Sequence, residues 1–304
     1  MRTLHLFPGQ GDFELRVLRD WLATRSTARD LAAEVFAAVD RAAAEAGLPA
    51  IGPIALGTEP PDGRESVDGP PGAHQLALFG ACLTVHRAAA ASGRAPDRLL
   101  GVSFGEVGAL TAAGVFELTD GARIAAEVGR LLPRDGGLTW IGAGEAAVRE
   151  FLDEPDVAIA CVNSRTECIL AGPVPALERV AKLATAHGLP AVRVQVPFYA
   201  HHPALIPAAA TLAAFVRDLP CHPPNLPVYS AAHLRTYQHP SAVPELLGEC
   251  LTRPVRLPKA LRLASGNRPA VLLEAGTGSA LGRSARQVLP TATVLSLPDL
   301  GSTP

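Results

Sequence analysis

Residues 101–106 read Gly101-Val102-Ser103-Phe104-Gly105-Glu106. They follow the short apolar run Arg98-Leu99-Leu100 and open onto a helical stretch from Val107 to Ala113. A serine flanked by glycines between a strand and a helix is a nucleophile elbow. The turn holds the serine backbone in a strained conformation that projects its hydroxyl from the strand end, and the glycines let neighbouring backbone pass without a Cβ clash. At a helix N-terminus the free N–H groups and the helix dipole favour the negative charge of a tetrahedral oxyanion. The pattern points to acyl transfer through Ser103. Glycine and serine are common, so an ordinary strand-to-helix turn gives the same local signal.

Working outward, Leu4-His5-Leu6-Phe7 reads as a strand ending in Pro8-Gly9-Gln10-Gly11, and an amphipathic helix spans 26–46. The Pro-, Gly- and acid-rich stretch 52–72 reads as a loop. Helix returns over 74–91 with Gly93 as its C-cap. Gly114 closes the elbow helix, and Thr119-Asp120 caps the next, which runs towards Leu132. Beyond it, strands at 138–141, 157–162, 167–171 and 191–196 enclose helices near 145–152 and 175–187. This β-α-β-β-α-β order is the ferredoxin-like pattern, set into a larger α/β domain whose final strands are 227–230, 271–274 and 293–297.

A chain of 304 residues can bury a large core. With 18% charged residues and a net charge of −2, nothing attracts a polyanion globally, which disfavours nucleic-acid binding. No uninterrupted apolar run reaches the length of a membrane span and the N-terminus lacks a signal-peptide core, so a cytoplasmic protein is expected. Cys82, Cys161, Cys168, Cys221 and Cys250 are scattered without a C-x-x-C pair. They read as buried thiols in a reducing compartment, with neither a disulfide framework nor a metal site.

A serine nucleophile needs a base, and nine histidines compete for the role. His201 and His202 stand out because they follow a strand and the Pro197-Phe198-Tyr199-Ala200 turn where the chain re-enters the large domain. Domain junctions commonly form clefts. The partner that orients the base, a side chain or a backbone carbonyl, is not fixed by spacing.

The segments Leu6-Phe7-Pro8-Gly9-Gln10-Gly11, Gly101–Glu106, Val162-Asn163-Ser164, His201-His202-Pro203-Ala204-Leu205, Leu251-Thr252-Arg253-Pro254-Val255-Arg256 and Glu274-Ala275-Gly276-Thr277-Gly278 occur in one order over almost the whole chain. In this the sequence resembles malonyl-CoA:acyl-carrier-protein transacylases and polyketide synthase acyltransferase domains. The resemblance implies an α/β-hydrolase-like large domain (1–132 and 198–304) with an inserted ferredoxin-like small domain (133–197). It also implies ping-pong chemistry in which Ser103 carries the acyl group, His201 is the general base, and the backbone N–H groups of Gln10 and Phe104 form the oxyanion hole. Acyl carrier proteins would be the partners. No cofactor would be bound, the phosphopantetheine arm or CoA serving as substrate carrier.

Departures from the family pattern are informative. Malonyl-transferring relatives place an arginine 25 positions after the serine to pair with the substrate carboxylate, and here that position is Val128. A buried carboxylate without a guanidinium is left unpaired, so malonyl and methylmalonyl units are poor candidates. Arg130 and Arg123 lie on other helix faces. The family's histidine before the nucleophile is Val102, its glutamine after the Asn-Ser turn is Glu167, its glutamine before Leu-Thr-x-Pro-Val is Cys250, and its methionine after the catalytic histidine is Leu205.

Within the family the chain is similar to macrolactam-pathway enzymes that shuttle aminoacyl or dipeptidyl groups. Glu127 and Glu167 are candidate partners for a substrate ammonium, set against the commoner reading of each as a solvated surface carboxylate. The expected pocket is Val102, Phe104, Val128, Trp140, Glu167, Phe198 and Leu205. Carrier-protein docking needs a local basic rim, for which Arg149, Arg165, Arg253, Arg256, Arg283 and Arg286 are candidates. An editing hydrolase would use the same serine and histidine with water as acceptor, and a catalytically silent docking protein is the reading that an intact Ser103, His201 and Gln10 argue against.

Overall fold

In a computed structural model, which describes residues 2–63, 65–266 and 270–300, the chain begins β1 (Arg2–Phe7), α1 (Leu15–Leu22), α2 (Ser26–Glu45), α3 (Gly52–Ala55), α4 (Ala73–Ala89), β2 (Arg98–Gly101), α5 (Gly105–Ala112) and α6 (Leu118–Leu131). It continues β3 (Gly136–Ile141), α7 (Glu145–Phe151), β4 (Ala158–Val162), β5 (Cys168–Pro173), α8 (Val174–Ala186) and β6 (Ala191–Arg193). The last part is α9 (Ile206–Arg217), β7 (Val228–Ser230), β8 (Arg235–Thr236), α10 (Val243–Cys250), β9 (Val255–Arg256), α11 (Leu257–Ser265), β10 (Ala270–Glu274), α12 (Ala280–Val288) and β11 (Thr293–Leu295).

One sheet has the order β11-β10-β1-β2-β7-β8 and is parallel except for the edge hairpin β7–β8. Both of its faces are covered, as a parallel sheet requires. On β1 the two-residue period sends Leu4 and Leu6 into the core with α11 and α12, and Phe7 into the core with α2, α4 and α6. Every residue of α4 from Ala73 to His86 is buried. That explains why Ala73–Arg94 is long and apolar enough to cross a membrane by composition: it is the central core helix.

The second sheet has the order β6-β3-β5-β4-β9. Its first four strands with α7 and α8 form the ferredoxin-like unit, and β9, arriving from the C-terminal part of the chain, pairs parallel with β4. Helices cover only one face, where Ile141, Cys168 and Leu170 meet α7 and α8. The alternate residues Leu138, Trp140 and Ile169 are left facing a cleft against the strand ends of the large sheet. Arg256 of β9 reaches Glu145 at the start of α7 at 2.7 Å.

Several local expectations are corrected. The stretch read as a loop from 52 holds the short α3, because Pro53 sits in its first turn, where a missing N–H costs nothing. The helix expected to be capped by Thr119-Asp120 begins at Leu118 with Glu117 as N-cap, and Asp120 instead pairs with Arg123 at 2.6 Å. The strand expected over 191–196 stops at Arg193. Helix α1 escapes the sequence reading although its buried Leu15, Leu18 and Leu22 recur at helical spacing.

His5 and His86 share one hydrogen bond between their Nδ1 atoms (2.9 Å), and His5 Nε2 faces the Arg94 carbonyl at 2.9 Å. The geometry needs a neutral His5 that donates from Nε2 and accepts at Nδ1 from His86. Burial lowers His5 to about 4 and His86 to about 3, and it lowers His74 to about 4 as well. The unfolded chain takes up protons near pH 6.5 while the folded one does not. The contribution of these histidines to stability is therefore fully present above about pH 6.5, is lost as pH drops towards 3 to 4, and changes no further below. Urea unfolding at pH 7.5 and 5 should show a loss of a few kcal/mol, and a smaller loss in His86→Phe.

Candidate active site

Strand β2 ends at Gly101, and Ser103 then adopts φ 58° before α5 begins. This left-handed conformation is uncommon for a non-glycine residue and clusters at functional sites. Both flanking glycines are required. A Cβ on Gly105 would collide with the Phe7 carbonyl, and one on Gly101 would lie 2.5 Å from Glu106 Cα. The elbow is thus pressed against β1 by parallel pairing that sets Phe7 beside Gly101.

Ser103 Oγ lies 2.6 Å from His201 Nε2, and His201 Nδ1 lies 2.7 Å from the Arg253 carbonyl. The carbonyl accepts the Nδ1 proton, which leaves Nε2 as the acceptor for the serine hydroxyl. The orienting group is therefore backbone, from the loop after α10. Burial pushes the His201 imidazole below its ordinary range while the carbonyls of Arg253 and Cys250 oppose the shift. The resting ring is neutral and able to take a proton. His201 also has φ 59°, so it and Ser103 are two of the three described non-glycine residues at positive φ. His202 is occupied differently. Its Nε2 faces the Asp156 carbonyl at 3.1 Å, and its Nδ1 accepts from Ala204 N–H at 3.1 Å, where it caps a short 3-10 turn.

The loop after β1 lies against the elbow: a Cβ on Gly9 would be 3.3 Å from Ser103 Cβ. The Gln10 side chain is pinned by Gln75 of α4, whose Nε2 donates to Gln10 Oε1 at 2.5 Å. The backbone N–H groups of Gln10 and Phe104 donate to no other group among the described residues. Both residues follow adjacent parallel strands and line one small space at Ser103; an oxyanion needs two such uncommitted donors. Gln75 has no signal in the sequence, since nothing marks one polar residue in a buried helix as a brace for a distant loop.

Two spaces meet at Ser103, His201 and Gln10. The larger, about 530 Å³, is the cleft between the sheets, and it contains the expected Val102, Trp140, Glu167 and Phe198 together with Leu138, Ile169 and Arg283. The smaller, about 20 Å³, lies beneath the nucleophile and is closed by Phe104, Val128, Leu132, Leu212, Leu247 and Leu251. Leu205 lines neither space. It ends the turn Pro203–Leu205 and is directed into the core, a correction to the expected pocket.

No cation among the described residues lines the smaller space. Arg123 is held by Glu45 and Asp120 and Arg130 by Glu127, and Glu127 lines neither space. Of the rim candidates, Arg149 and Arg256 share Glu145, Arg253 pairs with Glu249, and Arg286 donates to the Val294 carbonyl. Arg283 lines the cleft and donates to Ser279 Oγ at 2.5 Å. Arg165 sits in the β4–β5 turn beside Asn163 and Glu167, which line the same cleft.

With this geometry in hand, the chain belongs to the acyl transferase domain family, whose pattern it matches over residues 70–296. It is 28% identical over 194 residues to a phenolphthiocerol/phthiocerol polyketide synthase of Mycobacterium tuberculosis, a match covering 62% of this chain and 13% of that one. It is 32% identical over 203 residues to the polyketide biosynthesis protein ThaF of Burkholderia thailandensis, covering 64% of this chain and 18% of that one. The chain thus spans less than a fifth of these relatives. Among solved structures, the malonyl-CoA:acyl carrier protein transacylase of Xanthomonas oryzae pv. oryzae superposes with a TM-score of 0.85 at 27% identity, covering 98% of this chain and 95% of that one.

Ser103→Ala should abolish covalent acylation, read by intact-protein mass spectrometry, while leaving the circular dichroism spectrum unchanged. His201→Ala should lower the acylation rate about 10²–10⁴-fold, and His202→Ala less than about tenfold. Equal losses in the two histidine variants would contradict the assignment of the base.

Proposed function

We propose that this chain is an acyltransferase that moves a non-carboxylated acyl group onto or between acyl carrier proteins. In the proposed reaction His201 Nε2 takes the Ser103 proton as Oγ attacks the thioester carbonyl, and the oxyanion is held by the N–H groups of Gln10 and Phe104. Collapse breaks the C–S bond, and the departing thiolate takes the proton from His201. A carrier thiol then gives its proton to His201 and attacks the Ser103 ester, returning the proton to Oγ. The cleft is the route for the phosphopantetheine arm, and Arg283 and Arg165 are the arginines of the basic rim left beside it.

The observation that carries the choice of acyl group is the apolar closure around Val128. A carboxylate there would lose its hydration and gain no counter-ion, a penalty of several kcal/mol. Neutral groups pay no such penalty. An aminoacyl or dipeptidyl group would place its ammonium on the cleft side. There Glu167 is lined up without an ion-pair partner among the described residues.

The test separates transfer from hydrolysis. An acyl-Ser103 ester formed from a neutral thioester should persist for minutes alone and clear rapidly once the cognate holo-carrier protein is added. Clearance should slow as salt screens the arginine rim. Loss of the ester at one rate with or without the carrier protein would instead identify water as the acceptor and the chain as an editing hydrolase.

A further inference from the structure

The last residue of the elbow, Glu106, lies on the first turn of α5 and is fully buried. Its carboxyl touches neither Ser103 Oγ nor His201, and the reaction proposed above leaves it unused. Four donors converge on it. Ser230 Oγ donates to Oε1 at 2.8 Å, the Tyr237 hydroxyl to Oε2, the Cys250 thiol lies 3.6 Å from Oε1, and the Ala232 N–H completes the set. Ser230 Oγ itself accepts from His233 N–H at 3.0 Å, which holds it against Glu106. A group surrounded only by donors must act as an acceptor throughout, and a carboxylate satisfies that while an amide does not.

The donors come from separate parts of the chain: Ser230 ends β7, Tyr237 follows β8 and Cys250 ends α10. The three residues after Cys250 hold the base. The Leu251 carbonyl accepts from His202 N–H at 3.2 Å, and the Arg253 carbonyl faces His201 Nδ1 at 2.7 Å. Cys250 Sγ also lies 3.9 Å from the Ser103 carbonyl, and Glu106 N–H donates to that same carbonyl at 2.9 Å. The nucleophile's turn and the backbone that orients its base thus meet at one carboxyl.

We infer that Glu106 is a positioning residue that ties the Ser103 elbow to the 250–253 segment and so sets the Oγ–Nε2 contact. This rests on the Ser103–His201 reading. Desolvation raises the Glu106 carboxyl to about 7 against the pull of its donors, so its environment holds it near the point of losing the charge that the donors require. The groups facing His201 are Ser103 Oγ from the elbow and the Cys250 and Arg253 carbonyls from the segment after α10. The titratable groups packed behind them are Glu106, Tyr237, Cys250, Cys161 and His233, and the charged Arg253 and Glu249 side chains pair with each other at the surface, Glu249 also facing His233 Nδ1 at 3.8 Å.

The experiment is steady-state transfer from a neutral thioester to a holo-carrier protein, with pH profiles, for the wild type, Glu106→Gln and Tyr237→Phe. Glu106→Gln should lower kcat about 10- to 100-fold with KM within about twofold of the wild type. Its acid limb of kcat/KM should move to lower pH, because the loosened Arg253 and Cys250 carbonyls no longer raise the His201 imidazole. Tyr237→Phe, which removes one donor and keeps the ring, should shift kcat and the acid limb in the same directions by less, and it supplies the test if Glu106→Gln does not fold. Loss of thermal stability with kcat per folded enzyme and the acid limb unchanged in either folded variant would overturn the inference. Failure of the wild type to acylate at Ser103 would instead overturn the dyad reading itself.

Discussion

Two residues in left-handed backbone conformations, Ser103 and His201, face each other across 2.6 Å, and each is fixed by a different stretch of the chain. Such a conformation costs of the order of 1–3 kcal/mol per residue and persists only where the surroundings over-determine it. For Ser103 they do so through the pairing of β1 with β2 and two glycines that admit the Phe7 carbonyl and the Glu106 backbone. Around His201, the loop that leads into β9 holds the ring through the Arg253 carbonyl and the next backbone N–H, that of His202, through the Leu251 carbonyl. Because β9 also completes the small sheet, the segment that orients the base is continuous with the one that joins the two sheets.

How far the sequence discloses this depends on the range of each interaction. The elbow is local, so its glycines and serine are readable from six residues. The ferredoxin-like order is likewise readable, because strand and helix periods alternate clearly over 138–187. His201 can be selected only from its place after the small domain and from family resemblance. Its partner, a main-chain carbonyl 52 residues away, has no side-chain signature. Gln75 and the donors around Glu106 are hidden for the same reason: tertiary folding brings them together, and no spacing records it. Leu205 is misplaced by the sequence reading because its direction depends on the short 3-10 turn Pro203–Leu205, which sends the side chain into the core.

The chemistry of the site divides along the same lines. In the proposed reaction, the groups that form and discharge the ester lie at the junction of two loops and two helix starts, and the choice of acyl group falls to the apolar residues around Val128. On the proposed reading, Val128 in place of a guanidinium leaves the dyad untouched and changes what can be accommodated: the space of about 20 Å³ at Ser103 is lined mostly by apolar side chains, together with Gln10, His201 and Cys250. The nearby arginines offer no substitute, since Arg123 and Arg130 are already held by carboxylates on α2 and α6.

The most direct test of that division is a competition for Ser103 between malonyl and acetyl thioesters of the same carrier, read by intact mass. The wild-type protein should take the acetyl group by at least about a hundredfold, and Val128→Arg should narrow the ratio by restoring malonyl loading. Malonyl acylation of the wild type at a rate equal to acetyl would contradict the account, since it would require a cation at the site that the geometry around Val128 does not supply.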